Sequence, residues 1–224
     1  MRPELGPAGT SGGVRECPPG IWIPPEEAPP LPWPRIEASL RRANRGPSPH
    51  MLTPWVPEFP RRAAVAVLLW GDGKGARRIV LVQRGHTAPH HPGELAFPGG
   101  MAEPCDRDLP ATARRELAEE LGVEEGLWEL GCFPDAVAKA RTRFTPVFFR
   151  WETPAPRFEL GPEIHDVLTL PLQALLEAPW REEARTYQGI PVQSWRLELP
   201  QAPLWGATAL VLKAWLDSLE APPV

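Results

Sequence analysis

The segment from residue 95 to residue 123 constrains the fold of this chain more than any other part of its sequence. A short apolar stretch, Leu95-Ala96-Phe97, leads into a turn with two adjacent glycines, and a helical pattern follows between Asp108 and Gly122. Aspartate is a favoured helix N-cap, and glycine just beyond the last turn is a favoured stop. The positions that recur at helical spacing and are predicted to be buried are Ala113, Leu117 and Leu121. Strand, glycine turn and helix are therefore predicted to form one unit.

The other face of the predicted helix is acidic. Glu116, Glu119 and Glu120 stand at positions i, i+3 and i+4, which places three carboxylates side by side. Like charges at this spacing cost a few tenths of a kcal/mol per pair, ~0.2–0.5 on an isolated helix. A solvated acidic face is the ordinary explanation for an isolated pattern of this kind. After a paired-glycine turn, the arrangement favours a divalent cation such as Mg²⁺, which takes carboxylate ligands together with substrate phosphates.

This unit resembles the Nudix box, whose family pattern is G-x5-E-x7-R-E-U-x-E-E-x-G-U, with U an aliphatic residue. Gly100 matches the first glycine, and the run from Arg115 to Val123 matches the second half without a substitution. One departure lies between them, because Asp106 replaces the first glutamate and eight residues instead of seven separate it from Arg115. The same one-residue insertion is a feature of the coenzyme A pyrophosphatase branch of the family.

Stretches outside the box also resemble that branch, across roughly residues 60–219. They are Arg61-Arg62, Leu81–Arg84, Gly93, Phe97–Gly100, Thr145–Val147, Glu163–Val167, Leu170–Leu172 and Leu204–Ala209. His91 matches the histidine of the branch signature, but Pro89 stands where the signature has an arginine. An arginine there would hold a phosphate through two hydrogen bonds, which proline does not replace. The matching stretches favour coenzyme A as the substrate, whereas Pro89 leaves other diphosphates as alternatives.

The resemblance implies a fold, an activity and a set of site residues. The fold is the Nudix α/β/α sandwich with a mixed β-sheet, and the activity is metal-dependent hydrolysis of a pyrophosphate linkage. For coenzyme A the products would be 3',5'-ADP and 4'-phosphopantetheine. Alternatives are hydrolysis of ADP-ribose, a dinucleotide or a nucleoside triphosphate, and a binding module without activity. The intact glutamate trio argues against the last alternative.

Each implied role belongs to a residue at a matching position. Mg²⁺ or Mn²⁺ would be held by Gly100, through its carbonyl, and by Glu116, Glu119 and Glu120. Arg115 would orient the glutamates by ion pairing, with Asp106 as its second partner. The general base would be one of the trio or Glu163. The residues expected to contact substrate are Arg84, His90, His91 and Gly99.

Three histidines between Gly85 and Gly93 raise zinc as an alternative metal. His86, His90 and His91 are close in sequence, but a structural zinc site needs four nitrogen or sulfur ligands and Cys105 is the only thiol nearby. Loop histidines beside a substrate cleft are the favoured interpretation. When protonated, His90 or His91 would bind phosphate, although an ordinary histidine pKa near 6.5 makes that charge partial at neutral pH.

Composition excludes several other classes. The chain carries 24 basic and 28 acidic residues, a net charge of −4, and no basic stripe of the kind that binds nucleic acid. No apolar run approaches the roughly 20 residues of a membrane span. Three cysteines without metal-type spacing argue against a disulfide framework. The N-terminus lacks the apolar core of a signal peptide, so the expectation is a cytoplasmic enzyme acting on a small diphosphate.

Proline marks the expected domain boundary, because 15 of the 32 prolines lie in the first 60 residues. Residues 1–34 are predicted to be a disordered or extended arm that catalysis does not need, although Trp22 and Trp33 indicate that part of it docks on the domain. Residues 35–221 are predicted to form the Nudix domain, beginning with a helix over Arg35–Ala43. Further strands are predicted at Ala63–Trp70, Ile79–Gln83, Leu127–Phe133 and Thr145–Trp151, and further helices at Leu172–Glu177 and Gly206–Leu219.

Overall fold

A computed structural model describes residues 28–45, 62–85, 91–138, 142–187 and 190–220 of the chain. The helices in these ranges are α1 (Trp33–Ala43), α2 (Leu109–Leu121), α3 (Leu172–Leu176) and α4 (Gly206–Glu220). The strands are β1 (Arg62–Asp72), β2 (Gly75–Arg84), β3 (Leu95–Ala96), β4 (Gly99–Met101), β5 (Leu127–Cys132), β6 (Ala136–Ala138), β7 (Thr142–Glu152), β8 (Ile164–Pro171), β9 (Arg181–Tyr187) and β10 (Ile190–Arg196). None of these helices has the length and apolar character needed to cross a bilayer.

Within the described residues, the main sheet is mixed and has eight strands, whose central order is β3-β2-β1-β7-β5. Only the pair β1–β7 in the described sheet is parallel, and it is also the longest pair, with Arg62 opposite Arg143 and Gly71 opposite Glu152. The remaining strands pair antiparallel: β4 with β1, β6 with β7, and β8 with β2. A separate hairpin is formed by β9 and β10. The parallel pair at the centre leaves both faces of the sheet to be covered by helices.

Side chains of β1 alternate between two cores. Val67 and Leu69 pack in the larger core with residues of α1, α3 and α4, whereas Ala66 and Leu68 pack in a smaller core against α2. This alternation follows from the two-residue repeat of a strand. Helices therefore cover both faces of a mixed sheet, and the predicted α/β/α sandwich is confirmed.

Helix α2 begins and ends where the sequence predicts. The Asp108 carboxylate accepts a hydrogen bond from the backbone N–H of Ala111 at 2.8 Å, and Gly122 adopts a left-handed conformation with φ of 66°. The predicted apolar stripe is fully buried: Ala113, Leu117 and Leu121. Its burial fixes the rotation of the helix, so the carboxylate face turns away from this core toward the end of the sheet that β4 occupies.

Part of the predicted arm packs on the domain, as Trp33 indicated, and this packed segment begins at Leu31. Leu31 exchanges two backbone hydrogen bonds with Ala76, at 2.7 and 2.8 Å, and its side chain is fully buried. Trp33 is 4% exposed and its indole N–H donates to the Asp72 carbonyl at 2.8 Å. Residues 31–34 of the predicted arm thus belong to the domain, and α1 begins two residues earlier than predicted. Residues 1–27, including Trp22, lie outside the described residues.

Candidate active site

The two glycines of the box form a short strand, where the sequence indicated only a turn. In β4, Gly99 pairs with Val65 of β1 and Gly100 pairs with Ala64. The backbone of Gly100 lies directly against Glu116, because a Cβ added at Gly100 would come within 2.3 Å of Glu116 Oε1. A side chain at residue 100 would displace the Glu116 carboxylate, so glycine keeps that carboxylate in its position. The pairing with β1 therefore positions the glycine backbone next to the carboxylate face of α2.

Glu120 is the most strongly perturbed carboxylate of the group. Its side chain is buried, and one oxygen accepts a hydrogen bond from the Gly99 N–H at 3.1 Å. Burial raises the pKa of Glu120 to about 7, and the charges of Glu116 and Glu163 act in the same direction. The Gly99 N–H and the Arg84 guanidinium oppose this rise. Burial, more than neighbouring charge, therefore raises the pKa of Glu120.

The other two glutamates differ in exposure. Glu116 is buried, and its pKa is raised mainly by burial, against the lowering effect of Arg115. The side chain of Glu119 is 57% exposed and points toward the solvent edge of the same face. Two buried carboxylates and one exposed carboxylate thus line the surface that faces β4.

Arg115 links the trio to the loop that precedes α2. Its Nη1 donates to Glu116 Oε1 and to Glu119 Oε2, both at 2.9 Å. Its Nε and Nη2 donate to the two oxygens of Asp106, both at 3.2 Å, and Nη2 also donates to the Met101 carbonyl at 2.9 Å. These bonds raise the pKa of Arg115 and lower the pKa of Asp106 to about 2. Arg115 therefore has the position and charge to orient the glutamates, as the sequence predicts.

Asp106 is held by more partners than the sequence indicates. Besides Arg115, its carboxylate accepts hydrogen bonds from the Glu103 N–H and from the buried hydroxyl of Thr112, both at 2.9 Å. The Asp106 N–H donates back to the Glu103 carbonyl at 3.0 Å, which closes a tight turn. This turn brings the aspartate to Arg115 despite a side chain one methylene shorter than that of the family's glutamate. The roles of Glu103 and Thr112 have no signal in the sequence, because they depend on the folded turn.

Arg84 and Glu163 lie next to Glu120 and form an ion pair with each other. Arg84, at the end of β2, donates to Glu163 Oε2 at 2.7 Å, and its Nη1 lies 3.9 Å from Glu120 Oε1. The Glu163 carbonyl accepts a hydrogen bond from the Gly85 N–H at 2.8 Å. The structure therefore brings Arg84 and Glu163, which are 79 residues apart, beside the carboxylate trio.

The histidine loop is only partly described. His91 adopts a φ of 55°, and its Nδ1 lies 2.9 Å from Glu94 Oε2. In this arrangement His91 contacts a carboxylate of its own loop instead of the glutamate trio. His86, Pro89 and His90 lie outside the described residues. Cys105 and Cys132 are free thiols in the described part of the chain, and Cys105 contacts Glu103.

The trio does not converge on one point in this arrangement of side chains. Arg115 Nη1 lies between Glu116 and Glu119, while Glu120 bonds to the Gly99 amide on the opposite side. Accordingly, the described residues contain no set of three His, Cys, Asp or Glu groups placed to hold a metal ion. A guanidinium cation shared by two carboxylates occupies the central position of the acidic face.

Sequence comparison identifies the family to which this site belongs. A family model described as the NUDIX domain matches residues 60–189, which is more than half of the chain. The chain belongs to the Nudix family. The matched range includes β4, α2, Arg84 and Glu163, so every described site residue lies inside the Nudix domain.

Three relatives illustrate the range of the similarity. Nudix hydrolase 15, mitochondrial, of Arabidopsis thaliana is 30% identical over 173 residues, 73% of this chain and 61% of that protein. Peroxisomal coenzyme A diphosphatase ndx-8 of Caenorhabditis elegans is 34% identical over 119 residues, 51% of this chain and 50% of that protein. Mitochondrial coenzyme A diphosphatase NUDT8 of Homo sapiens is 29% identical over 171 residues, 71% of this chain and 70% of that protein. The chain spans about half the length of the first plant and yeast relatives it matches.

Proposed function

We propose that this chain is a divalent-metal-dependent hydrolase that cleaves the pyrophosphate linkage of coenzyme A or its derivatives, giving 3',5'-ADP and 4'-phosphopantetheine. The observation that carries the proposal is the placement of two buried carboxylates, Glu116 and Glu120, against the Gly99-Gly100 backbone and beside Arg84. Two relatives named coenzyme A diphosphatases, at 34% and 29% identity, support this substrate. Action in a reducing, cytoplasmic compartment remains part of the proposal.

The acidic face has the donor chemistry that a hard divalent cation requires. All of its side-chain donors are carboxylate oxygens, the class of ligand that Mg²⁺ and Mn²⁺ prefer. A guanidinium already takes the place of a cation between Glu116 and Glu119, and the Gly100 backbone lies against the Glu116 carboxylate. Nudix hydrolases generally use divalent metal ions. We propose that Glu116, Glu119, Glu120 and the Gly100 carbonyl would hold Mg²⁺ or Mn²⁺, which when bound neutralises phosphate oxygens.

The remaining residues have roles that follow from their charge and position. Arg115, bonded to Asp106, would fix the side-chain positions of Glu116 and Glu119 and offset the repulsion between their charges. Arg84 would bind a phosphate oxygen from the open side, with the Gly99 backbone, His90 and His91 as further substrate contacts. A water must lose its proton to attack a phosphorus atom, and a carboxylate beside the cleft can accept it. Glu163 and the trio members, Glu120 above all, are the candidates for this general base.

Pro89 is the specific observation that favours a second candidate substrate. The coenzyme A branch that this chain resembles has an arginine there, and proline offers no donor to a phosphate. ADP-ribose, a dinucleotide or a nucleoside triphosphate would present the same diphosphate to Arg84 and to the trio. These substrates make a substrate panel the first experiment.

The panel compares coenzyme A, ADP-ribose, a diadenosine polyphosphate and a nucleoside triphosphate, each with Mg²⁺, with Mn²⁺ and with EDTA. We expect kcat/KM to be highest for coenzyme A, with both products identified by chromatography. Glu120→Gln serves as the inactive control, because it removes a ligand charge at constant volume. A higher kcat/KM for another diphosphate would show that coenzyme A is not the preferred substrate, while the type of reaction would stand. Absence of hydrolysis across the panel would instead support a binding module.

A further inference from the structure

The carboxy end of α2 is closed by a distant loop, residues 158–163. The Glu159 N–H donates to the Leu121 carbonyl at 2.9 Å, and the Gly161 N–H donates to the Glu120 carbonyl at 3.0 Å. These carbonyls belong to the last turn of the helix, where no helical partner is available. The loop is therefore attached to the same helical turn that carries Glu119 and Glu120.

Gly161 is the point of closest approach between loop and helix. A Cβ at this position would come within 2.4 Å of the Glu119 carbonyl oxygen and 3.2 Å of the Glu120 Cα. Both neighbours are helix backbone, which cannot move aside as a flexible side chain could. The loop can form its hydrogen bond to Glu120 at this distance only because residue 161 has no side chain.

Gly161 is also the first residue of the turn that presents Glu163. The Ile164 N–H donates to the Gly161 carbonyl at 3.0 Å, so residues 161–164 form a β-turn with Pro162 and Glu163 at its two central positions. Proline restricts the backbone at the first of these positions. From this turn Glu163 reaches Arg84 at 2.7 Å, and its carbonyl is held by the Gly85 N–H. Gly161 is thus hydrogen-bonded to α2, and the turn that begins at Gly161 carries Glu163.

We infer that Gly161 is a positioning residue for hydrolysis, which acts by holding Glu163 at a fixed distance from Glu120 and Arg84. This inference rests on the proposed function and adds a requirement to it. A side chain at residue 161 pushes the turn away from α2 and carries the Glu163 carboxylate with it. Displacements of about 1 Å at a reacting centre can lower turnover by up to about 100-fold.

The test is a double-mutant cycle with Gly161→Ala and Glu163→Gln, measured with Mg²⁺ on the best substrate of the panel. We expect Gly161→Ala to lower kcat at least about tenfold, with a smaller change in KM. In the Glu163→Gln background, the same substitution should have no further effect on kcat. Gly73→Ala is the matched control, because a Cβ there meets no atom within 4 Å and kcat should be unchanged.

A second variant keeps the test valid if Gly161→Ala does not fold. Glu159→Gly keeps the N–H that bonds to Leu121 but gives the backbone of this second attachment point more conformational freedom. It should lower kcat several-fold, again only when Glu163 is present. Independent, multiplying losses from Gly161→Ala and Glu163→Gln would overturn the inference, as would a wild-type kcat for either Gly161→Ala or Glu163→Gln. These outcomes leave the hydrolase proposal intact, since that proposal fails only if wild-type protein plus metal hydrolyses no diphosphate.

Discussion

At the scale of single residues, burial separates three glutamates that the sequence presents as equivalent. Glu120 is buried beside the Gly99 amide, whereas the Glu119 side chain is more than half exposed. The same charge therefore has different consequences at two adjacent positions. Arg115 compensates only part of the repulsion, because its guanidinium reaches Glu116 and Glu119 but forms no bond to Glu120 among the described contacts.

Glu120→Gln should make the metal-free protein more stable at neutral and alkaline pH. The pKa of Glu120 rises from 4.5 in the unfolded chain to about 7 in the folded protein, so the folded state binds this proton more tightly. The free energy of unfolding contributed by this group therefore falls as pH rises from about 4.5 to about 7. Denaturant titrations between pH 4 and pH 8 should show a gain on the order of 1–3 kcal/mol at pH 8 and little difference at pH 4.

Glu119→Gln is the control for this measurement, since its exposed side chain should change stability by no more than about 0.5 kcal/mol at any pH. With Mg²⁺ present, both variants should lose on the order of 100-fold in kcat, because each removes a charge that the metal requires. If the wild type and Glu120→Gln showed the same pH dependence of unfolding, burial would not raise the pKa of Glu120.

Arg115→Lys should lower both stability and turnover despite retaining the charge. Arginine bonds at the same time to Asp106, Glu116, Glu119 and the Met101 carbonyl, and a lysine ammonium cannot reproduce that planar set of donors. We expect calorimetry to show a loss on the order of 1–3 kcal/mol and kinetics to show a fall in kcat. Arg114→Lys is the neighbouring control, because Arg114 lies over the Phe149 ring, 4.9 Å from its centroid, and forms no part of this network. Equal effects of the two variants would contradict the role given to Arg115.

At the scale of elements, α1 is attached to the sandwich at both ends. Leu31 and Trp33 anchor its N-terminal side to β1 and β2, while Arg35 and Arg42 donate to the Leu219 and Ser218 carbonyls at the end of α4. The arginines thereby satisfy carbonyls that the last turn of α4 leaves without helical partners. The start of the domain is consequently a structural element instead of the end of a linker.

Two truncations should therefore differ. Deleting residues 1–27 should leave kcat within a few-fold and the melting temperature nearly unchanged. Deleting residues 1–34 removes Leu31 and Trp33 from the core, each worth roughly 1.5–3 kcal/mol of burial, and should lower the melting temperature clearly. Thermal unfolding and turnover of both proteins test this. A folded protein without residues 1–27 that has lost turnover would show that this segment contributes to the site.

At the scale of the whole molecule, the site lies where the sheet, α2 and the loop before β8 meet. Glycine backbone from β4, carboxylates from α2, Arg84 from β2 and Glu163 from the turn before β8 come together there. Metal binding at this junction should stabilise the entire fold, since it favours the folded state over the unfolded one.

Chelation should abolish hydrolysis, and added Mg²⁺ or Mn²⁺ should restore it. The melting temperature should also rise with metal concentration in the wild type, by an increment that Glu120→Gln reduces. Differential scanning calorimetry across a metal titration measures this without relying on turnover, with Gly73→Ala as a variant that should respond like the wild type. Full activity in excess EDTA would contradict the metal assignment.

Parts of this structure could be predicted from the sequence because they depend on local chemistry. The limits of α2 follow from the Asp108 cap and the Gly122 stop, and its apolar stripe follows from helical spacing. The site residues Arg115 to Glu120 follow from one contiguous motif. Strands β1, β2, β5 and β7 were also predictable, since each is an apolar run long enough to identify.

Other features were decided only by tertiary structure. Residues 164–171 carry an acidic segment and a proline, and they form β8 because β2 offers an edge for pairing. The hairpin β9–β10 and the short strands β4 and β6 were not predicted. Strand β4 pairs with the distant β1. The hairpin and β6 pair with neighbouring segments, but they are too polar or too short to identify from the sequence. Leu31 is held by backbone hydrogen bonds to Ala76, and Glu163 is held by Arg84 and by the Gly85 N–H. The sequence by itself determined the family and the chemistry of the site, because a contiguous motif carries them, whereas the packing of distant segments determined the boundary of the domain and the partners of its charges.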